Sequence, residues 1–273
     1  MVEKVEKIKP VRAHMLGKLM KYDFRADFKF LVPCYLVLLG LSAVGAIGIL
    51  LGRVTDAPPL NVAAGLFVVL FVLAAFGVGI GVCIAIPARF DTDLFSSRGY
   101  LTLSIPATAE EHIFSKLISG LLCILLSWLV VFAAVCILLL PSGFFPVLGR
   151  ILRGFLETFE IMGSDMVWAS VEAVFYLPLS AIATMEVIHC CICLGQLFTS
   201  KNRRGMSVLM FFIFSSIMSI VETWLPFLTG WYRWGYKINY HAHMWILIAL
   251  VLAFDIGAFF LQRWVLKKKV NLA

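Results

Sequence analysis

Six apolar stretches alternate with loops that share Lys and Arg very unevenly, and this alternation constrains the chain more than any motif does. The stretches run from Phe30 to Gly52, Asn61 to Pro87, Leu117 to Pro141, Trp168 to Phe198, Met206 to Thr229 and Met244 to Val265. A helix rises 1.5 Å per residue, so each stretch can cross a hydrocarbon core ~30 Å thick. Of the 23 Lys and Arg residues, 18 lie before Phe30, between Pro87 and Leu117, between Phe198 and Met206, or from Arg263 onward. The alternate loops hold only Arg53, Arg150, Arg153, Arg233 and Lys237. Cationic loops stay in the cytoplasm, so both termini are expected there, as an even number of spans requires.

Composition enters only to exclude alternatives. A chain that is 62% hydrophobic and 14% charged exceeds the apolar share of soluble globules. Transmembrane barrel strands are ~10 residues long and alternate in polarity, unlike these runs. The expected fold is therefore an all-α membrane protein of six transmembrane helices. The net charge of +7 follows the topology and suits anionic lipid headgroups rather than nucleic acid. Seven cysteines lie within the spans, where they serve as apolar packing residues and imply no disulfide framework. The first apolar run follows 29 mostly polar residues and is long enough to remain as an anchor, so no cleaved signal peptide is expected.

Three segments outside the spans carry helical patterns. From Ile8 to Phe28, apolar residues recur at helical spacing among Lys18, Lys21 and Arg25, which predicts an N-terminal amphipathic interfacial helix within residues 1–29. The segment 144–162 sets Leu148, Ile151, Leu152, Phe155 and Phe159 on one face and predicts an external interfacial helix. The loop 88–116 mixes acidic, basic and aromatic residues and is expected to be folded. Thr108 and Glu111 form a capping-box pattern that starts a helix near Ala109, and Phe90, Leu94 and Phe95 suggest a short helix across the loop, ended by Gly99. The spans and their loops make one domain from 30 to 265, followed by a basic tail from 266 to 273. Trp231, Tyr232, Trp234 and Tyr236 are placed as an aromatic belt, and Gly77 with Gly81 as a close-approach pair.

Ionisable groups at membrane depth cost at least ~2.5 kcal/mol each at the centre and so face water, a partner or one another. Glu186 and His189 are neighbours on one helix face and can share a hydrogen bond, while Asp255 falls mid-span. Glu172 and Glu222 sit near the far boundary, where hydration is expected. Glu186, His189, Glu222 and Asp255 are thus candidates for a substrate path, against a structural role in hydrogen bonds between helices. His189, Cys190, Cys191 and Cys193 resemble a metal set in type only, because consecutive helical residues point ~100° apart and cannot converge on one ion. The chain lacks HExxH, GxSxG and GxxxxGK[ST], so an enzyme reading has no motif and any ATP must be bound by another chain.

The segments from Gly17 to Leu39 and from Ser96 to Leu117, with Gly99, Tyr100, Leu101, Pro106, Thr108 and Lys116 in order, resemble the type-2 permeases of ATP-binding-cassette exporters. The resemblance implies a transmembrane subunit in a bacterial plasma membrane. It would pair with a second permease half, identical or not, and sit on a separate ATPase subunit that binds ATP and Mg. It also implies a coupling element in Asp91, Asp93, Phe95, Arg98 and Tyr100. The chain departs from the family in having only about 14 residues between the last two spans, where related permeases often carry an external domain. The cargo expected is an amphipathic peptide, a lipid-like compound or a drug. The rivals are a proton-coupled secondary transporter and a membrane-anchored immunity factor that acts by binding alone.

Overall fold

The computed structural model describes residues 13–55, 58–96, 99, 102, 104–105, 107–198, 202–228 and 237–268. These residues form seven α-helices: α1 Ala13–Thr55, α2 Pro58–Phe95, α3 Ala109–Leu139, α4 Phe144–Met162, α5 Ser164–Phe198, α6 Arg203–Leu228 and α7 Lys237–Lys268. All except α4 are long and apolar enough to cross a membrane, which makes this a multi-pass helical membrane protein. Their outward surface is apolar, as at Leu66, Phe76, Trp128 and Phe212, because lipid rather than water is the solvent there.

The first helix departs from expectation. Residues 13–29 do not form a separate interfacial helix but continue without a break into the first span, with Pro33 inside the helix. The reason lies on one face. Asp27, Leu31, Tyr35 and Leu38 recur at helical spacing and are all buried, so from Asp27 onward one face of α1 packs on protein. The second helix likewise runs past Pro87 to Phe95, so Phe90, Leu94 and Phe95 are its buried last turns and form no separate crossing helix. A proline within a helix removes one backbone donor and is tolerated where the surrounding packing holds the chain. Just beyond it the hydroxyls of Thr92 and Ser96 donate back to the carbonyls of Ala88 and Thr92.

Other boundaries match the sequence reading. The α3 capping box is complete, with Glu111 N–H donating to Thr108 Oγ1 at 3.2 Å and Thr108 N–H to Glu111 Oε2 at 2.8 Å. Helix α4 lies between two turns whose glycines take positive φ, Gly143 at 79° and Gly163 at 54°, a conformation costly to any residue with a Cβ. Ile151, Leu152, Phe155 and Leu156 of α4 are exposed, an unburied apolar face that suits the membrane interface. The aromatic belt proposed at 231–236 lies outside the described residues.

The packing divides the spans into two groups of three. Helix α1 packs along both α2 and α3, and α5 along both α6 and α7, while contacts between the groups are sparser. The groups meet at the end of the bundle where Lys and Arg gather, termed here the basic end. Gly120 of α3 marks a close approach between them, since a Cβ there would stand 2.6 Å from Met185 Sδ and 3.3 Å from Ile86 Cγ2. Gly77 and Gly81, expected to admit a neighbouring helix, face open space in this chain.

Candidate functional site

At the basic end the side chains assemble an ionic junction. Lys116 of α3, its side chain only 8% exposed, bonds Asp23 Oδ1 of α1 at 2.7 Å and also Asp93 of α2. Ser115 Oγ donates to the other Asp23 oxygen at 2.5 Å. Arg89 of α2 pairs with Asp27 at 3.1 Å and with Asp93 at 3.7 Å. Three carboxylates and two cations thus fasten α1, α2 and α3 to one another. A buried charge set of this kind is tolerable only when each member meets its opposite, because the desolvation cost of a single ion is several kcal/mol.

Three further ion pairs, on two carboxylates, tie this group to the other. Glu110 Oε1 of α3 accepts from Arg263 Nε at 2.5 Å and Lys267 Nζ at 2.9 Å, both on α7. Asp91 of α2 accepts from Arg204 Nε of α6 at 3.2 Å and from Gln196 Nε2 of α5 at 3.3 Å. Gln196 in turn accepts from Arg203 at 3.1 Å, and the same guanidinium reaches the carbonyl of Phe95 at 3.5 Å. Beneath these contacts the rings of Phe90 and His189 stack, with centroids 3.9 Å apart and planes 12° from parallel.

The proposed coupling residues therefore divide. Asp93 and Phe95 turn inward, Asp93 to Lys116 and Arg89 and Phe95 into the apolar core, while Asp91 binds the second helix group. Arg98 and Tyr100 lie outside the described residues.

Beyond the junction, between α2, α3 and α5, is a cavity of about 540 Å³. Its lining is almost wholly apolar, with Val78, Val82, Trp128 and Phe132 among it, and also includes His189. On its edge Tyr35 donates to Ser127 at 2.6 Å, and Ser127 donates to the Cys123 carbonyl at 2.7 Å, so this pair is satisfied.

Of the candidate path residues, Glu186 and Asp255 come within electrostatic reach of each other, while the rest stand apart. Glu186 and His189 share the interior face of α5, but they are not bonded to each other. Glu186 Oε2 instead accepts from Gln262 Nε2 of α7 at 2.9 Å, and His189 Nδ1 is buried without a hydrogen-bond partner among the described residues. The i, i+3 spacing placed them side by side, yet the amide one helix away competes better for the carboxylate. Asp255 is 9% exposed, and both its carboxylate oxygens lack a hydrogen-bond partner among the described residues. Glu222 faces outward on α6, apart from these groups. Glu172, expected to be hydrated, is fully buried and pairs with His241 Nδ1 at 2.9 Å. Among the described residues no three His, Cys, Asp or Glu side chains converge on a possible metal position.

Charge counting alone overlooked Gln262, because an amide does not register in a search for ionisable groups. Asp23 and Asp27 could have been found, since they continue the Leu31, Tyr35, Leu38 stripe one and two turns earlier. No family model, curated protein or solved structure matches the chain. The fold and the junction thus define a six-span helical membrane protein.

Proposed function

We propose that this chain is the transmembrane permease subunit of an ATP-driven exporter, moved by a separate ATPase seated against the cytoplasmic segment 88–116. The observation that carries the reading is the position of that segment's two roots. Asp91 and Asp93 at its start and Glu110 and Lys116 at its end are the same groups that join the helices to one another. Force applied between these roots reaches both helix groups through short ionic contacts, and the cavity lies immediately beyond them. Rocking one three-helix group against the other is a known form of alternating access. Nucleotide in the partner drives such motion only through contacts that differ between its two states.

Affinity purification from native membranes in a mild detergent, followed by ATP hydrolysis assays, tests the proposal. An ATP-hydrolysing subunit should copurify, and Arg98→Ala or Tyr100→Ala should release it or uncouple hydrolysis from transport. Purification of the chain with no ATPase, under conditions that keep it folded, would overturn it. The carboxylate of Asp255, without a hydrogen-bond partner among the described residues, favours a second reading, proton-coupled transport. In that case Asp255→Asn abolishes uptake driven by a pH gradient in vesicles made without ATP.

A further inference from the structure

Two carboxylates are buried together where α5 packs on α7, and neither has a cation among the described residues. Glu172 of α5 meets His241 of α7 at an offset of 69 positions, and the same offset brings Asp255 level with Glu186. Glu186 is 2% exposed and Asp255 9%, and the charge of Asp255 reaches Glu186. Gln262 completes the group. It is fully buried, donates from Nε2 to Glu186 Oε2 at 2.9 Å, and leaves its own Oε1 without a hydrogen-bond partner among the described residues. We propose that this site binds a proton, which the Glu186 and Asp255 pair holds while α5 and α7 are in contact and gives up when they part.

Size selects the ligand. Both oxygens of Asp255 and Oε1 of Gln262 are sealed from water as well as unbonded, so no head group or hydrated ion fits against them. A proton needs no room. Two carboxylates within reach of each other in a dry interface do not both ionise, because their repulsion adds to a desolvation cost of several kcal/mol per ion. Uptake of one proton leaves a single charge, and the Gln262 amide is in place to solvate it. The proton belongs to the pair as a unit rather than to either residue.

The helices packed around the pair supply no competing counter-ion. On α5 itself, Cys190 donates to the Ala258 carbonyl at 3.6 Å and the His189 ring lies flat against Phe90. The cations are engaged at the basic end: Lys116 of α3 with Asp23 and Asp93, Arg263 and Lys267 of α7 with Glu110. Arg89 of α2 is held by Asp27 and Asp93, Arg204 of α6 by Asp91, and Arg203 bonds Gln196. Toward the outer end His241 is taken by Glu172, and Glu222 of α6 faces outward. The site adds Glu186 and Gln262 to the proton-coupled reading above and rests on that reading for its consequence, though not for its binding.

Infrared spectroscopy of the whole chain in nanodiscs reads the site, because the C=O stretch of a protonated carboxyl is separate from the bands of a carboxylate and moves in heavy water. The difference spectrum at pH 7 between the parent and Glu186→Gln combined with Asp255→Asn should contain one protonated-carboxyl band. In heavy water that band should move slowly, at the rate at which the α5–α7 contact opens. It should vanish on alkaline titration. Gln262→Leu removes the donor that favours the ionised form, so it should raise the pH at which the band vanishes by about one. This variant keeps both carboxyls and reads the same site if the double variant does not fold. No band in the difference spectrum of folded proteins, a band that moves at once in heavy water, or an unchanged titration in folded Gln262→Leu overturns the site. A bound proton without gradient-driven uptake sinks the proton-coupled reading and leaves the site, whereas such uptake without the band sinks the site alone.

Discussion

Two sets of buried charge in this molecule are handled in opposite ways. Around Lys116 each ion meets its opposite: Asp23 and Asp93 on Lys116, Asp27 on Arg89. In the facing group, Glu186 accepts from the amide of Gln262 and lies within electrostatic reach of Asp255, a like charge, and neither carboxylate meets a cation among the described residues. The first set resembles a joint, costly to open and suited to transmitting force. The second carries a desolvation penalty with no ion pair to offset it, the kind of group that a proton, a guest or a second conformation completes. The contrast assigns rigidity to α1, α2 and α3 at the basic end and adaptability to the α5–α7 interface.

The sharpest way to break this comparison is at its hub. Lys116→Met leaves Asp23 and Asp93 buried without their shared cation, and removing one partner of such a set costs ~3–5 kcal/mol. Thermal or denaturant unfolding in detergent should show that loss, and Asp23→Asn added to Lys116→Met should recover part of it. A loss below ~1 kcal/mol would mean that water already screens the junction and that it is no rigid joint.

A steric test comes next in size. Gly120→Leu drives a side chain into Met185 and Ile86 where the helix groups touch, and overpacking of this kind costs ~1–3 kcal/mol. Met185→Ala in the same chain should relieve most of it, since a flexible thioether is the nearest obstacle. The same substitution at Gly77, which faces open space, should leave the unfolding midpoint where it was.

These sites also show how far the sequence could be read. The six spans, the capping box at Thr108 and the amphipathic α4 follow from patterns that are local, each complete within a few turns of one helix. The junction was not legible, because Asp23 and Lys116 are partners across 93 positions and hydropathy does not report which face of a helix meets which neighbour. Charges near the ends of spans read equally well as topology anchors, so nothing local marked Asp23 and Asp27 as partners of α3 and α2. Glu172 shows the same gap from the other side: its height in the span suggested water, but His241 on a helix 69 positions later covers it.

A milder break lies between the helix groups. Glu110 receives Arg263 and Lys267, but the lysine side chain is 39% exposed and the arginine partly so. Glu110→Gln should therefore cost only ~1 kcal/mol. The cost should shrink further in 1 M salt, where the screening length falls to ~3 Å. If instead the penalty is as large as that of Lys116→Met and is insensitive to salt, the link between the groups is a buried joint too and the two groups do not rock.

The smallest expected effect carries the opposite sign. Asp255→Asn keeps the shape of the side chain and breaks no bond among the described residues, while removing a charge that has no counter-ion there. The unfolding midpoint should hold or rise, by an amount on the order of 1 kcal/mol, whereas Asp93→Asn, cut from a paired set, should lower it. The pair of substitutions is the cleanest measurement of the difference between the regions, because the chemistry of the change is identical and only the surroundings differ. If Asp255→Asn destabilises as much as Asp93→Asn, then Asp255 is held by structural bonds like those at Lys116, and the α5–α7 interface loses its claim to be the adaptable one.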